Sequence, residues 1–355
     1  MKQFNVFRGL ILTILFTCCN SVWAYDIEVD GFCYNITSAT DLTVEVTESA
    51  IKGDIVIPST ITYKSKTFTV TGIGKHAFYF RNLTSVVIPN TVTYIGYEAF
   101  YHCSSLRSVV IPNSVTNIGE KAFMFCSGFT SVVIPNGVTN IGGHAFSYCS
   151  NLTSVVIPNT VTYIGYNAFD SCENISEVHI NSLTAWCNIK FNTSSSNPLY
   201  YAKNLYLNGE LVTELIIPDD VTEIKNYAFY CCESITSVVI PNSVTRIWWG
   251  AFSGCKALEY IYVMTETPPS VKSDTFTNKN YIDVVLYVPT GCLEAYQNAD
   301  VWKEFWEIKE FDTTGISDVK TENKKETTIY DINGRVVENP ENGIYIVDGK
   351  KVLLR

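Results

Sequence analysis

The sequence has few charged residues, and those it has are mostly acidic. Charged side chains make up 17% of the 355 residues, and 35 acidic against 25 basic side chains leave a formal net charge of −10. No cluster of lysine and arginine interrupts this excess of acid, which argues against a nucleic-acid partner. The hydrophobic fraction of 46% is high enough to build a core, so we expect a folded chain.

Long apolar runs and catalytic motifs are also missing from the sequence. No segment approaches the roughly 20 consecutive apolar residues that a membrane-spanning helix requires, so we expect no membrane span. The sequence has neither the G-x-S-x-G turn of serine hydrolases nor a glycine-rich loop that cradles phosphate. We therefore expect a protein that is not an enzyme and needs no cofactor.

The first 24 residues have the pattern of a secretory signal peptide. Lys2 and Arg8 give a positive start, the short apolar stretch LILTILF follows, and the segment ends with a small residue at Ala24. A lipid-anchored alternative would use Cys18 or Cys19, but the residues before them match the small-residue pattern of such sites poorly. We predict cleavage after Ala24 and a chain that is secreted or held at the cell surface.

An internal repeat of 23 residues organises most of the chain. The unit reads LTSVVIPNTVTYIGYEAFYHCSS from Leu83, and three further copies follow without a gap. Its Ile-Pro pair recurs 23 residues apart at Ile88-Pro89, Ile111-Pro112, Ile134-Pro135 and Ile157-Pro158, and again at Ile217-Pro218 and Ile240-Pro241. Self-similarity at such a period is typical of solenoids, in which each repeat forms one coil.

Each unit is interpreted as one short strand followed by a return path. We expect Leu83, Val86 and Ile88 to face the core, and the next proline to end the strand because it cannot donate to the ladder. Gly96 marks a bend, and the Ala-Phe pair ending at Phe100 closes the coil from the opposite side. A single unit cannot bury its apolar surface alone, so the repeat predicts a right-handed solenoid with a parallel β-sheet on one face.

The flanks and one interior stretch depart from the repeat. Caps are expected at both ends, because a terminal coil would otherwise expose its core to water. We divide the chain into a signal peptide (1–24), an N-terminal β cap with the first coil (25–74), a repeat solenoid (75–311) that includes an enlarged, loop-bearing repeat (182–211) and a closing cap (264–311), a linker (312–327) and a C-terminal β tail (328–355).

These repeats resemble the bacterial surface leucine-rich repeats called BspA-like. The shared unit is L-x-x-V-x-I-P-x-x-V-x-x-I-G-x-x-A-F-x-x-C, matched from about Ile55 to Val288. The resemblance implies an exported or surface-attached leucine-rich-repeat solenoid that contacts a host or neighbouring-cell protein or glycoprotein, with no catalytic residues. The tail, with GIYIV and KKVLL, resembles a shortened sorting domain of the type IX secretion route, which implies export by that route.

The cysteines follow the repeat. Six of them share one repeat position, namely Cys103, Cys126, Cys149, Cys172, Cys232 and Cys255. Metal sites need their ligands close together, and disulfides would strain a regular stack, so we predict a column of buried thiols. The pairing of Cys33, Cys187 and Cys292, outside the column, stays open. His76 and His144 share a repeat position but lie three coils apart, on the order of 14 Å, so we expect no metal site.

The outward positions of the strands form a strip with little charge. We define the strand strip by these residues: Ser85, Val87, Ser108, Val110, Ser131, Val133, Ser154, Val156, Glu177, His179, Glu214, Ile216, Ser237, Val239, Tyr260 and Tyr262. A long apolar strip indicates a contact site, but valine and serine also suit any repetitive strand surface. Both interpretations stay open. The end from Glu177 to Tyr262 varies most, which would place specificity there.

Three functions compete for this scaffold. The leading hypothesis is a recognition or adhesion module that binds protein or glycoprotein through the solenoid. The alternative is a structural envelope role in which the strand strip mediates self-association. An enzyme of unknown class comes third, because nothing in the sequence identifies a reaction.

Overall fold

The computed structural model describes residues 25–312, 329–331, 343–347 and 350–354. The predicted signal peptide and nearly all of the predicted linker lie outside these residues. The chain coils into a solenoid dominated by short strands, with parallel sheets and few helices, so the predicted strand-dominated repeat solenoid is confirmed. Within the described ranges, no helix is both long and apolar enough to cross a membrane.

One side of the solenoid carries the strand that the motif predicts in each coil, and we call it the long-strand side. Its strands form three successive sheets, parallel except for one closing hairpin. The first sheet contains Gly53–Val56, Leu83–Val87 and Ser108–Val110. The second contains Ser131–Val133, Ser154–Val156, Glu177–Ile180, Leu205–Leu207 and Glu210–Leu211. The third contains Glu214–Ile216, Ser237–Ile240, Tyr260–Val263, Val285–Pro289 and Glu307–Phe311.

Two-residue strands build a second stack, which the sequence analysis did not anticipate and which we call the short-strand side. Its strands are Tyr94–Ile95, Asn117–Ile118, Asn140–Ile141, Tyr163–Ile164, Lys190–Phe191, and, in a separate sheet, Glu223–Ile224, Arg246–Ile247 and Ser270–Val271. The pairing is parallel, with Ile118 opposite Ile95 and Ile141. Buried side chains from both sides, such as Val86 and Ile95, belong to one continuous core.

The N-terminal strands extend the short-strand side beyond the first coil. They are Ile27–Val29, Phe32–Ser38, Thr43–Thr47, Thr60–Tyr63 and Lys66–Ile73. The first three pair antiparallel in sequence order, and Thr43–Thr47 pairs parallel with Lys66–Ile73. Their inward residues, including Tyr34 and Val44, are fully buried, so these strands cover the end of the core that the first coil would otherwise expose.

The enlarged repeat is a packed coil with helical insertions. It contains the helices Leu183–Asn188 and Leu199–Ala202 and the 3₁₀ turn Ser194–Ser196. Loops were expected in this repeat, but Asn197 is fully buried there. Its side-chain amide donates to the Tyr227 carbonyl at 2.7 Å, and its carbonyl oxygen accepts from the Leu199 amide at 2.9 Å. These bonds satisfy the buried polar groups and hold the insertion against the next coil.

The closing cap contains two helices and ends in a strand that the sequence did not predict. The helices are Asn278–Asp283 and Leu293–Asn298, followed by the 3₁₀ turn Trp302–Glu304. The missed strand, Glu307–Phe311, pairs parallel with Val285–Pro289. Beyond the cap, Ile329–Asp331, Gly343–Val347 and Lys350–Leu354 form a separate antiparallel sheet.

Phenylalanine and cysteine columns run through the core. Successive rings such as Phe100, Phe123 and Phe146 stack nearly parallel, with centroids 5.0 and 5.4 Å apart. Five column thiols each donate to the phenylalanine carbonyl of the preceding coil at 3.0–3.3 Å: Cys103, Cys126, Cys149, Cys172 and Cys255. All six column cysteines are free and buried, so the predicted column of buried thiols is confirmed. The four other cysteines that the structure describes, Cys33, Cys187, Cys231 and Cys292, are also free.

The repeat glycine permits the coils to approach closely on the short-strand side. A Cβ built on Gly119 would lie 2.6 Å from the Gly96 carbonyl carbon and 2.8 Å from its oxygen. The Gly119 amide donates to the Ile95 carbonyl at 2.7 Å. Where Trp248 occupies the same position in a later coil, the corresponding bond to Ile224 is 3.0 Å long. The glycine coils are therefore packed too tightly for a side chain.

Replacing Gly119 by alanine is expected to lower the free energy of unfolding by about 1–3 kcal/mol, because the new methyl group would push two backbones apart. Urea unfolding of the mature chain at pH 7 measures the change. The matched control is Gly143→Ala, where the nearest atom to an added Cβ is 3.3 Å away and the expected loss is smaller. Equal losses in the two variants would contradict the close-approach explanation.

Candidate interaction surface

The accessible apolar part of the strand strip is a row of valines at the N-terminal end of the long-strand side. Val87, Val110 and Val133 are 42%, 61% and 65% exposed. The row begins one strand earlier than the sequence analysis placed it, because Val56 pairs with Val87 and is 69% exposed. The motif residues IVIP that contain Val56 could have identified this position. Four apolar side chains therefore face water on the outer surface of neighbouring coils.

Hydroxyl groups border the valine row, and one carboxylate organises them. Ser85 and Thr84 both donate to Asp54 Oδ1, at 2.6 and 2.5 Å. The hydrogen bond from Ser85, followed by that from Thr84, lowers the pKa of the Asp54 carboxyl group. Asp54 therefore stays ionised at neutral pH and orients the hydroxyls at the start of the row. No lysine or arginine belongs to the strand strip.

A polar junction follows the valine row. His179 Nε2 lies 2.9 Å from Glu177 Oε2, and the His179 ring stacks on Tyr206 with centroids 4.8 Å apart. In the sheet, Tyr206 pairs directly with His179. The predicted strip goes from His179 straight to the strand of Ile216, so it omits the strand that contains Tyr206. The repeat pattern does not predict this strand, because the insertion in the enlarged repeat breaks the 23-residue spacing.

Half of the strip residues in the C-terminal sheet are buried, contrary to the prediction that they are exposed. Val239 and Tyr262 are only 6% and 3% exposed, and Ser237 is also buried. Tyr262 stacks on Tyr287 at 4.7 Å and meets Phe311 edge-on at 5.7 Å. These two rings come from strands beyond the predicted strip, so aromatic packing removes this end from water. Burial also raises the pKa of the Tyr262 hydroxyl.

The other ten strip residues are exposed or half-buried. Three are exposed, namely Ser108, Ser131 and Glu214. Seven are half-buried, namely Ser85, Ser154, Val156, Glu177, His179, Ile216 and Tyr260. The ladder of the long-strand side is interrupted between Ser108–Val110 and Ser131–Val133 and again before Glu214–Ile216. The strip is thus three segments, of which the first two hold the accessible valines.

A second exposed feature, missed by the sequence analysis, is an aromatic ridge at one corner of the coils. It consists of Phe80, His102, Phe125 and Tyr148, whose successive ring centroids are 4.5, 5.6 and 4.5 Å apart. All four have positive φ, between 56° and 63°, a conformation that costs an ordinary residue about 1 kcal/mol. Neighbouring rings cover each other's faces, so the ridge supports the corner and offers mainly ring edges to a ligand.

Burial keeps the thiols of Cys103 and Cys232 in their protonated form. Burial raises the pKa of Cys103 to about 12 and that of Cys232 to about 11. Thiols with such pKa values stay protonated near neutral pH and are poor nucleophiles and metal ligands. Among the residues that the structure describes, no group of three or more His, Cys, Asp or Glu side chains is arranged to hold a metal ion.

Parallel sheets stacked at a 23-residue register and an open strand surface define the class of leucine-rich-repeat solenoids. The family model described as "BspA type Leucine rich repeat region" matches residues 71–198 and 200–299, in six copies. The chain therefore belongs to the BspA-type leucine-rich-repeat family.

Several solved bacterial proteins are similar to this chain. A leucine rich cell surface protein from Faecalibacterium prausnitzii is 22% identical, covering 80% of this chain and 94% of its own, with a TM-score of 0.39. A leucine-rich repeat protein from Bacteroides ovatus is 25% identical over 76% of this chain and 80% of its own, with a TM-score of 0.37. The T. pallidum leucine rich repeat protein is 24% identical over 66% and 90%, with a TM-score of 0.42. No curated protein matches. Because these TM-scores are low, the family assignment rests on the repeat match.

Proposed function

We propose that this chain is a non-catalytic recognition or adhesion module that binds a host or neighbouring-cell protein or glycoprotein. The observation that carries the proposal is the exposed row formed by Val56, Val87, Val110 and Val133. An exposed apolar surface on adjacent strands loses contact with water when a partner covers it, which favours association. Membership of a repeat family that presents extended surfaces supports the same function.

The chemistry around the row favours a polypeptide or glycoprotein partner. Exposed hydroxyls at Ser108 and Ser131 can donate to and accept from amide and sugar groups at the border of an apolar contact. Asp54 beside the start of the strip and Glu177 and Glu214 within it give this surface a negative bias. This bias disfavours a strongly acidic partner.

A location outside the cell is part of the proposal. The positively charged start, short apolar core and Ala24 of the first 24 residues support secretion. The resemblance of the tail to a shortened type IX sorting domain supports a route to the cell surface. Comparing the mass and location of the full chain with those of a chain lacking residues 328–355 in the producing cell would test that route.

The function is tested by immobilising the mature chain from Tyr25 and measuring binding of host matrix proteins and mucins. The double variant Ser131→Arg, Ser154→Arg is expected to weaken saturable binding by more than about tenfold, because it would bury unpaired charge beside the valine row. The matched control is Ser104→Arg, Ser150→Arg, which makes the same change at exposed positions outside the strands.

The outcomes separate the proposed function from its competitors. Saturable binding that only the strip variant loses supports recognition through the strip, whereas equal loss in both double variants would refute it. If no probe binds, and light scattering shows the mass of the wild-type chain rising with concentration, the self-association role replaces adhesion. Turnover of a glycan or peptide substrate would instead restore the enzyme hypothesis.

A further inference from the structure

The repeat glycines on the short-strand side are replaced by other residue types after the enlarged repeat. Gly96, Gly119, Gly142 and Gly165 occupy one position in four successive coils. In the separate sheet that follows, Ile224, Ile247 and Val271 pair in register, so the next residue of each strand occupies the glycine position. Those residues are Lys225, Trp248 and Lys272. Cationic and aromatic side chains therefore emerge where the earlier coils have none.

These side chains converge on two indole rings. The guanidinium of Arg246 lies 5.1 Å from the Trp248 ring centroid, and Lys272 Nζ lies 5.8 Å from it. Lys272 Nζ is also 5.1 Å from the centroid of Trp249, whose ring lies 5.5 Å from that of Trp248. Such cation–π geometry places positive charge beside the ring faces.

One carboxylate fixes the arrangement. Glu223 accepts hydrogen bonds from Lys225, from Arg246 at 3.1 Å and from Trp248 Nε1 at 3.1 Å. The bond from Lys225, followed by that from Trp248, lowers the pKa of Glu223. The carboxylate thus stays ionised and holds the Trp248 indole in one orientation. A preorganised ring loses little conformational freedom when a ligand binds.

The cluster keeps an excess of positive charge in an acidic chain. The cluster contains three cations, Lys225, Arg246 and Lys272, and one anion, Glu223. The formal net charge of the whole sequence is −10. Within residues 25–312, no carboxylate forms an ion pair with Lys272. Its ammonium group is therefore open to an anionic ligand.

We propose that the cluster of Glu223, Lys225, Arg246, Trp248, Trp249 and Lys272 binds an anionic saccharide that carries carboxylate or sulfate groups. The Trp249 indole is 41% exposed, and its flat face matches the C–H surface of a pyranose ring. The neighbouring ammonium and guanidinium groups would bind the carboxylate or sulfate through charge-assisted hydrogen bonds. A membrane surface fits less well, because Glu223 holds the Trp248 indole and only the Trp249 indole is exposed for insertion.

This site is independent of the proposed function. The cluster lies in the short-strand sheet of the last coils, whereas the exposed valines belong to the first two sheets of the long-strand side. The variant Ser131→Arg, Ser154→Arg is therefore expected to keep its affinity for the saccharide. Each proposal can fail without the other.

Isothermal titration calorimetry on the mature full-length chain tests the site with three polysaccharides at low and physiological salt. Polygalacturonate supplies carboxylates, dextran sulfate supplies sulfates, and unmodified dextran is the neutral control. Binding to one or both anionic polymers, weakened by salt, is expected. Trp249→Ala and Lys272→Gln should each weaken it by about tenfold. The control variants Trp306→Ala and Lys279→Gln, which change other exposed residues, should stay within about twofold of the wild-type affinity.

Other outcomes would overturn the proposal. They are absence of saturable binding to both anionic polymers, equal binding of neutral dextran, and equal losses in the control variants. Binding only to vesicles of phosphatidylglycerol and phosphatidylcholine would assign the cluster to a membrane instead. Thermal unfolding followed by circular dichroism checks that Trp249→Ala remains folded, and Lys272→Gln provides a second variant that leaves the indoles in place.

Discussion

Raising the pH from 8 to above 10 is expected to unfold the solenoid, because buried thiols that must stay protonated in the native chain ionise freely once unfolded. Burial raises the pKa of nine described thiols above the ordinary value of 9.0. Six of the nine belong to the continuous core, namely Cys103, Cys126, Cys149, Cys187, Cys232 and Cys255. Above pH 9 the unfolded chain binds fewer protons at these groups than the folded chain does. The free energy of unfolding therefore falls as the pH rises and is unaffected by these thiols below pH 8.

The expected effect is large because the thiols act together. Each contributes a loss of about 1.4 kcal/mol per pH unit between its unfolded and folded pKa values, so six give on the order of 8 kcal/mol per unit. Cys232 stops contributing to this loss first, once the pH exceeds its folded-state pKa of about 11. Cys103 follows above its pKa of about 12. A domain is typically stable by only about 5–15 kcal/mol in total.

Urea titrations at pH 7, 8, 9 and 10 measure this dependence under reducing conditions. The double variant Cys126→Ala, Cys149→Ala should be slightly less stable at pH 7 but should lose stability less steeply above pH 9, by about 2.8 kcal/mol per unit. Cys292→Ala is the control, since its half-exposed thiol lies outside the column. An unchanged slope in the double variant would assign alkaline unfolding to other groups.

Replacing Phe146 by alanine is expected to lower the free energy of unfolding by about 3–5 kcal/mol. The ring is fully buried and stacks between Phe123 and Phe169, with both centroids 5.4 Å away. Its removal would leave a cavity in the middle of the column. The rings of Phe123 and Phe169, in the coils on either side, would both lose their stacking contact with this position. Because each coil contacts only its neighbours, distant coils cannot repack to fill the space.

Chemical unfolding at pH 7 measures this loss, with Tyr148→Ala as the matched control. Tyr148 lies two residues away in the same coil and also stacks on a neighbouring ring, Phe125, but it is exposed. Its removal should cost about 0.5–1.5 kcal/mol, the value of an aromatic pair without a buried cavity. Similar losses in the two variants would mean that the inner column contributes no more than the outer ridge.

The fold was largely predictable because the same pattern of buried apolar residues recurs in every repeat. Val86, Ile88 and Phe100 recur with their neighbours in each unit, and all three are buried as expected. The short-strand side was not predicted, since strands such as Tyr94–Ile95 have only two residues and two residues show no alternation. The strand Leu205–Leu207 was missed because the insertion before it breaks the spacing.

The candidate surface was only partly predictable, because exposure depends on neighbouring strands. Val133 and Val239 occupy the same repeat position, yet one is 65% exposed and the other 6%. The difference arises from Tyr262 and the aromatic side chains packed around it. The sequence identifies an outward position but cannot show whether a large ring from an adjacent coil covers it.

The sequence by itself determined the coil length, the inward residues and the thiol column, because each depends on local spacing that repeats along the chain. The tertiary structure alone decided three other features: the second stack of strands, the part of the strand strip that reaches water, and the convergence of Trp248, Trp249 and Lys272. These features depend on contacts between residues about one coil apart. The backbone path sets such contacts, and the residue types alone do not reveal it.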